Sequence, residues 1–338
     1  MSTTRRSWRL TSSRSRPRPS LREACPCSKP VLAFTCGDPA GIGPETIIGA
    51  LRRGELSSLC RPLLVGELAV WKRAGWRPGL GLIWDTRLGL KPPPYGRPTR
   101  DGGLLSFAAV AQSVRLAGRG LARAVVTGPI AKEGWAMAAV PWKDHTEYLR
   151  GAAGSCRAEM ILGCPSRGLW CVLVTRHVPL ARVPGALSVS RVVAAARTLE
   201  RALRRLGRRR PKLLLCGLNP HAGEGGMLGR EESRVLVPAM RAARRFGLDI
   251  AGPAPADAAW RRHIESGCHG LVCLYHDQAL IGLKAAAGLE VVNWTAGLPF
   301  ARVSPGHGTG FDIAGKGKAD PSATVAAALL AVRLSNFR

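Results

Sequence analysis

The stretch KLLLCGLNPH, from Lys212 to His221, joins a run of apolar residues to a histidine. Two other stretches share this design: LWCVLVTRH ends at His177, and GLVCLYH ends at His276. Short apolar runs of this kind predict buried strands. Because Ala-, Leu- and Arg-rich helical segments separate such runs, the expected fold class is α/β with a largely parallel sheet. The three histidines then fall at the carboxyl edge of the sheet, where α/β sheets bind ligands.

The same alternation of strand and helix signals continues through the chain. It begins at Pro30, and a last helix is predicted after Ser322. The Pro-rich stretch from Lys91 to Pro98 predicts a surface loop or a connection between lobes. The predicted strands are Val31 to Thr35, Pro62 to Val65, Ala124 to Thr127, Leu169 to Thr175, Lys212 to Gly217, Gly270 to Tyr275 and Glu290 to Trp294.

The composition is that of a globular protein. Apolar residues make up 46% of the 338 residues, which is enough for a large core. No apolar run reaches the roughly 20 residues that a membrane-spanning helix needs, so no membrane contact is expected. The ten cysteines have no metal-like spacing. They therefore predict reduced, buried thiols and a cytoplasmic location.

The formal net charge of +28 is unusual and comes mainly from arginine. Dense clusters occur only in the first 22 residues and from Arg204 to Lys212. Blocks of like charge are usually solvated, so an Arg-biased surface is favoured over nucleic-acid binding, although a basic binding protein without turnover stays as an alternative. Residues 1–28 are rich in Arg, Ser and Pro, which predicts disorder. A transit peptide or an over-long start are also open for that tail.

Histidines at three equivalent strand ends indicate a shared metal site. Imidazole suits zinc, cobalt and similar ions, and three protein nitrogens with open coordination positions are typical of catalytic metals. Taken singly, each histidine is more often structural, and the sequence separations are too long for a local motif. The repeated placement is what favours the metal site.

Two further segments have the composition of ligand-binding loops. TCGDPAGIGPE, from Thr35 to Glu45, follows the first strand and opens a helix; it either admits a ligand to the backbone or is a simple tight turn. DHTEYL, from Asp144 to Leu149, starts a helix that could hold an anion or only be capped. The chain contains no GxGxxG motif, so a dinucleotide site of Rossmann type is not supported.

Nine motifs occur in order between about Val31 and the carboxyl terminus. They are GDPAGIGPE, VTGPIAK, HTEYL, GLNPHAGEGG, LGREE, PADAAW, YHDQALIGLK, NWTAGLPFAR and HGTGFDIAGKG. On these motifs the chain resembles the 4-hydroxythreonine-4-phosphate dehydrogenase family of pyridoxal phosphate biosynthesis. That family is similar in fold to isocitrate and isopropylmalate dehydrogenases. The resemblance implies two lobes around a cleft: residues 29–140 with 303–338 on the cofactor side, and residues 141–302 on the metal, substrate and dimer side.

The resemblance also implies a role for each matching residue. The cofactors implied are NAD or NADP and a divalent metal (zinc, cobalt or magnesium), with the metal held across a homodimer interface. The implied site residues are His177, His221 and His276 as metal ligands; His145, Thr146, Lys284, Asn293 and Arg302 as substrate contacts; Lys284, Asp257 and Asp277 as catalytic groups; and His307, Gly308 and Asp312 as cofactor contacts.

The implied reaction oxidises the hydroxyl of 4-hydroxythreonine 4-phosphate to a β-keto acid, which decarboxylates to 3-amino-2-oxopropyl phosphate. Related substrates, namely a phosphorylated threonate or erythronate or a carboxylated cis-dihydrodiol, are the alternatives within the family. The chain departs from the family pattern at Asp144, Arg176, Met227 and Gly306, where Gly, Thr, His and Asp are usual. These departures leave the three histidines intact and bear on substrate identity.

Overall fold

A computed structural model describes residues 29–154 and 158–336. The strands are β1 Val31–Thr35, β2 Arg61–Gly66, β3 Leu82–Asp85, β4 Ala124–Thr127, β5 Glu159–Cys164, β6 Leu169–Leu173, β7 Lys212–Cys216, β8 Asp249–Ala254, β9 Gly270–Cys273, β10 Val292–Ala296 and β11 Ala301–Pro305. Among the described residues all eleven strands form one sheet, in the order β3-β2-β1-β4-β11-β10-β5-β6-β9-β7-β8.

The helices connect these strands and cover both faces of the sheet. In the described ranges they are α1 Gly43–Arg52, α2 Glu55–Leu59, α3 Leu68–Arg73, α4 Arg100–Gly118, α5 Lys132–Met137, α6 His145–Ala152, α7 Val183–Ala186, α8 Val189–Arg205, α9 Val237–Arg245, α10 Ala256–Ile264, α11 His276–Ala287 and α12 Ser322–Ser335.

The α/β class is confirmed, and the sheet is largely parallel. The exceptions lie together at its centre, where β10 runs antiparallel to β11 and to β5, and β5 runs antiparallel to β6. Parallel pairing joins β3, β2, β1, β4 and β11 on one side. It also joins β6, β9, β7 and β8 on the other. The β10–β11 hairpin therefore connects two parallel halves.

The seven predicted strands are all present, with ends that differ by up to two residues. Strands β3, β5, β8 and β11 were not predicted. The sequences of three of them explain this, because β3 has only four residues, β8 contains Gly252 and Pro253, and β11 carries the charged Arg302 as its second residue. Each of these features weakens the strand signal in a sequence.

Strand β1 shows why both faces of the sheet need helices. Its residues are all buried, and alternate side chains enter different cores. Phe34 packs into one cluster with Ile47 of α1, whereas Ala33 packs into another with Val110 of α4. A strand that is apolar on both faces is stable only between two helical layers.

The predicted last helix is confirmed as α12, whose Ala327 and Ala331 are fully buried. The stretch from Lys91 to Pro98 has neither helix nor strand, as predicted. The seven cysteines in the described residues are buried and free. None of the described helices is long and apolar enough to cross a membrane. The predicted disordered tail, residues 1–28, lies outside the described residues, and the predicted lobe boundaries stay a prediction.

Candidate active site

The three strand-end histidines lie at one edge of the sheet. Strand β9 pairs in parallel with both β6 and β7, so the segments that follow these strands emerge side by side. His177 follows β6, His221 follows β7, and His276 is the first residue of α11 after β9. The ring centroids of His177 and His276 are 5.8 Å apart. The predicted clustering at the carboxyl edge is therefore present for this pair.

Two of these histidines have a strained backbone. His177 has φ of 52° and His221 has φ of 51°, both in the left-handed region. This conformation costs a non-glycine residue about 1–2 kcal/mol. In the turn Pro220–Gly226 every residue from His221 to Gly225 has positive φ. Strain of this kind persists only where neighbouring contacts fix the backbone, and it is concentrated at functional sites.

Glu232 supplies those contacts for the turn that carries His221. Its Oε1 accepts hydrogen bonds from the backbone N–H groups of Leu218 and Asn219, both at 2.8 Å. Its Oε2 accepts a third from Asn219 Nδ2 at 2.9 Å. Burial would raise the pKa of Glu232, but these hydrogen bonds outweigh it and the pKa is lowered. The buried carboxylate thus stays ionised and anchors the chain just before His221.

The contacts of the histidine pair suit metal binding. Asp277 Oδ1 lies 2.7 Å from His276 Nδ1, which leaves Nε2 of that ring free as a ligand. Burial, and then the positive charge of Lys132, lowers the pKa of His177 and favours the neutral form of that ring. A neutral imidazole is the form that binds a metal.

One chain brings together two of the three predicted ligands. In residues 29–154 and 158–336, no group of three or more His, Cys, Asp or Glu side chains is placed to hold a metal ion. His221 therefore does not complete the pair of His177 and His276 within a single chain. The donors that are present are imidazoles, which fit a divalent transition metal.

Arg302 forms a second centre, on the strands that join the two halves of the sheet. Its side chain is only 2% exposed. Nη1 donates to Thr295 Oγ1 at 3.0 Å, and Nη2 donates to Thr127 Oγ1 at 2.6 Å. Nη2 also lies 3.1 Å from His145 Nδ1, which accepts because arginine can only donate. We call Arg302, His145, Thr127 and Thr295, together with Asn293 two residues before Thr295 on β10, the anion cradle.

The anion cradle has spare hydrogen-bonding atoms. Because His145 Nδ1 accepts from Arg302, the ring proton is on Nε2. That nitrogen, Arg302 Nε and Asn293 Oδ1 are buried without a hydrogen-bond partner in the described structure. Burial and then the charge of Arg302 lower the pKa of His145 well below its ordinary value, so the ring is neutral. No described carboxylate lies within 4.0 Å of the Arg302 guanidinium.

A cleft of about 560 Å³ is lined by His177 of the histidine pair and by Asp144 and Thr146, which flank His145 of the anion cradle in the chain. At its wall, Asp144 caps α6, because Oδ1 accepts from Glu147 N at 2.9 Å. Asp144 Oδ2 lies 3.9 Å from Lys132 Nζ, and Arg176 pairs with Glu159 at 3.1 Å. The residues lining the cleft are Lys143, Asp144, Thr146, Glu147, Arg150, Met160, Arg176 and His177.

The first and last glycine-rich motifs contact each other across the chain. Ile42 N donates to Thr309 O at 2.8 Å, and Gly315 N donates to Glu45 Oε2 at 3.1 Å. A Cβ atom on Gly41 would lie 2.6 Å from Thr309 O, so only glycine allows this approach. The predicted ligand loop from Thr35 to Glu45 therefore lies beside the predicted cofactor loop, to which residues 307–312 belong.

The remaining predicted residues occupy different places. Thr146 lines the cleft, whereas Asp257, Asp277 and Lys284 are exposed. Lys284 lies eight residues beyond His276 on α11, about 12 Å along the helix axis. It has no hydrogen bond or ion pair with the anion cradle in the described chain. The sequence analysis did not single out Thr127, Thr295 or Lys132, although the motifs VTGPIAK and NWTAGLPFAR contain them.

In the predicted cofactor loop, His307 Nδ1 contacts Gly308 O at 2.9 Å, and His307 Nε2 is buried without a described partner. Asp312 is exposed. The loop thus has polar groups beside α1, and contacts within the loop do not occupy all of them. No contact links it directly to the anion cradle in the described residues.

A family model described as "Pyridoxal phosphate biosynthetic protein PdxA" matches residues 70–331. The chain belongs to the PdxA family. A 4-hydroxythreonine-4-phosphate dehydrogenase from Geobacter metallireducens is 37% identical, over 93% of this chain and 98% of the relative. A Symbiobacterium thermophilum protein, provisionally named D-threonate 4-phosphate dehydrogenase, is also 37% identical, over 86% of this chain and 92% of its own length.

Solved PdxA-family structures have the same fold. The crystal structure of 4-hydroxythreonine-4-phosphate dehydrogenase from Klebsiella pneumoniae is 32% identical and has a TM-score of 0.80. It covers 91% of this chain and 98% of the Klebsiella chain. The resemblance inferred from the motifs is therefore confirmed, and the homologues of this PdxA-family chain are dehydrogenases.

Proposed function

We propose that this chain is an NAD-dependent dehydrogenase that oxidises 4-hydroxythreonine 4-phosphate. The observation that supports this most strongly is the buried Arg302 guanidinium, which has no carboxylate partner among the described residues. A buried charge is costly unless it is paired, so a site of this kind favours an anionic ligand. Guanidinium groups bind phosphate through paired, charge-assisted hydrogen bonds.

The substrate phosphate would bind in the anion cradle. Arg302 Nε and the Nε2–H of His145 would donate to its oxygens, and both are buried without a described partner. The amide of Asn293 would provide a further contact. Because His145 is neutral and held by Arg302, it donates without adding a second charge. Contacts to the phosphate, which takes no part in the oxidation, would align the neighbouring hydroxyl-bearing carbon.

The histidines would hold a divalent metal, with zinc, cobalt or magnesium as candidates. Such a metal, when bound, would lower the pKa of the substrate hydroxyl and later polarise the ketone. Asp277 would keep the His276 ring oriented through its contact with Nδ1. Since one chain supplies only the pair of His177 and His276, we infer that a homodimer completes the site with His221. The exposure of Lys284 and Asp257 is compatible with roles at that interface.

The cofactor would lie on the surface formed by the two glycine-rich motifs. His307, Gly308 and Asp312 would hold NAD, which when bound would supply the acceptor for the hydride of the hydroxyl-bearing carbon, while the hydroxyl proton would leave to a nearby base. The resulting β-keto acid loses carbon dioxide to give 3-amino-2-oxopropyl phosphate. Free, buried cysteines support a cytoplasmic location.

The test is turnover by the purified chain with NAD and each metal. We expect NADH to form with 4-hydroxythreonine 4-phosphate, and activity to fall after chelation and return with metal. NADP in place of NAD tests the cofactor assignment, and equilibrium sedimentation tests the homodimer. Absence of NADH formation with every metal would contradict the proposal.

A second candidate substrate is a threonate 4-phosphate. The relative provisionally named D-threonate 4-phosphate dehydrogenase is as similar to this chain as the Geobacter enzyme is, at 37% identity. The two candidates share the phosphate and differ in an amino group against a hydroxyl group. Their kcat/KM values, measured side by side, decide between them.

A further inference from the structure

A second concave pocket lies at the amino edge of the sheet. The segments that precede β6, β7 and β9 line it, whereas the three predicted metal histidines follow these strands at the opposite edge. Its volume is about 410 Å³, which is within the range of about 300–1,000 Å³ for small-molecule sites. We call it the basic pocket and define it by Arg167, Arg208, Arg333, Ser266 and His269.

The positive charge of the basic pocket is not neutralised by its own walls. Three arginines line the pocket, and none of its described lining residues is Asp or Glu. In the described part of the chain, Arg167, Arg208 and Arg333 take part in no salt bridge. A concave site lined by charges of one sign concentrates ligands of the opposite sign. The basic pocket therefore favours an anion.

Two donors of the basic pocket are held in place by contacts with the backbone. Lys212 N donates to His269 Nδ1 at 2.8 Å, so the ring proton of His269 is on Nε2 and can be donated to a ligand. Arg333 Nη2 donates to Leu206 O, which leaves Nη1 and Nε of that guanidinium as donors. Ser266 has φ of 63°, in the left-handed region. Strain of this kind at a non-glycine residue is concentrated at functional sites.

The other histidine of the pocket has a structural role. His263 is 2% exposed. Its Nε2 accepts from Trp170 N at 2.9 Å, and its Nδ1 contacts Cys268 O at 3.2 Å, so both ring nitrogens are used. The donors that remain for a ligand are the guanidinium groups and His269 Nε2.

We propose that the basic pocket binds a polyphosphate chain, as in a nucleoside triphosphate or an inorganic polyphosphate. Guanidinium groups bind phosphate oxygens through charge-assisted, often bidentate hydrogen bonds. One phosphate group carries a charge of at most about −2, which is less than the charge of the three arginines, whereas a triphosphate chain carries more.

A nucleic acid is not favoured as the ligand, because even a single nucleic-acid-binding module buries about 600–1,000 Å² of surface and the basic pocket is small and concave. The inference goes beyond the proposed function and does not depend on it, since the pocket and the active-site cleft share no lining residue.

The test is calorimetric titration of the purified full chain with tripolyphosphate and with ATP. In about 0.15 M salt the Debye length is about 8 Å, so diffuse attraction to the arginine-rich surface is screened. We expect one binding site per chain. Arg167→Gln and Arg208→Gln, both at exposed side chains, should each weaken binding about ten- to a hundredfold, because each removes a charged hydrogen-bond donor.

Arg119→Gln is the matched control. It removes the same charge from an exposed residue just after α4, outside the basic pocket, so the affinity should stay within about twofold. Arg302→Met asks whether polyphosphate binds in the anion cradle instead, and it should also leave this affinity unchanged. Absence of saturable binding below about 1 mM would overturn the proposal. An equal loss in Arg208→Gln and Arg119→Gln, or a loss confined to Arg302→Met, would overturn it too.

The two ligands also identify the source of the polyphosphate. Tighter binding of ATP indicates a nucleotide, tighter binding of tripolyphosphate indicates an inorganic chain, and either result supports the proposal. If a single-stranded oligonucleotide displaces tripolyphosphate and binds more tightly than both ligands, the pocket belongs to a nucleic-acid surface and the proposal is wrong. None of these measurements needs turnover, so failure of the proposed function leaves this test intact.

Discussion

Replacing Arg302 with methionine would separate a binding role from a structural one. Methionine has a similar length and an apolar side chain, so it fills the buried site without a charge. In the folded protein without ligand, burial lowers the pKa of Arg302 to about 10. The difference from the ordinary value of arginine corresponds to about 3 kcal/mol, which the ionised side chain costs the folded state at neutral pH.

Three hydrogen bonds offset this cost. They join Arg302 to Thr127, Thr295 and His145, and each contributes about 1 kcal/mol net. The two effects nearly cancel, so Arg302→Met should change the free energy of unfolding by less than about 1 kcal/mol. Phosphate binding should suffer more, because the variant loses the charge-assisted hydrogen bond from Arg302 Nε, worth about 1.5–3 kcal/mol, or about ten- to a hundredfold in kcat/KM.

The assays are urea unfolding and steady-state NADH formation. Arg244→Met is the control. Arg244 lies on α9, outside the cleft, and its Nε donates to Ile250 O at 2.8 Å. The control should keep its kcat/KM. A loss of more than about 3 kcal/mol of stability in Arg302→Met would show that the guanidinium is structural. If kcat/KM of Arg302→Met stays within about threefold of wild type, which is about the scatter of the assay, the anion cradle does not bind the substrate.

Three further predictions concern the histidine edge and the first loop. His221→Ala should abolish metal-dependent turnover and leave the melting temperature nearly unchanged, because the side chain is exposed; unchanged metal content and rate would contradict the ligand role. Glu232→Ala should lower the stability by about 2–3 kcal/mol, since part-buried N–H groups lose their acceptor, and weaken metal binding about tenfold or more; Glu265→Ala, at an exposed carboxylate on another element, is its control, and equal metal affinity in both would contradict the anchoring role. Burial raises the pKa of Asp38 to about 6, so the folded state binds a proton more readily than the unfolded state, and stability contributed by the protonated form is lost as pH rises from about 4 to about 6. Asp38→Asn should therefore raise the unfolding free energy at about pH 8 but not at about pH 4, and an equal effect at both pH values would contradict it.

The strands that a sequence reveals most readily are those made of uninterrupted apolar residues. Strands β1 and β4 have the predicted bounds because VLAFT and AVVT are buried on both faces. Strand β11 was missed because the charged Arg302 lies within it. An arginine can lie there because it donates to the hydroxyls of Thr295 and Thr127 on the two neighbouring strands. That reason depends on sheet order, which the local pattern does not contain.

The residues of the candidate site could be predicted better than the contacts between them. Placement at strand ends located His177 and His276 correctly at one edge. The left-handed turn at His221 was not foreseeable, because it contains Ala222 and Glu224 where glycine would be expected. The contact of Arg302 with His145 joins residues 157 positions apart, so no local signal could indicate it.

The place of the β10–β11 hairpin has a consequence for synthesis on the ribosome. The sheet is continuous only after this hairpin, residues 292–305, joins β4 to β5. A nascent chain can therefore pair β1 to β4, and later β6 to β9, while the two parts remain unconnected. The same hairpin carries Arg302 and Asn293, so the proposed anion site is complete only after the last step of sheet assembly. By mass action, a phosphorylated ligand would then stabilise only those chains that have been synthesised past this hairpin.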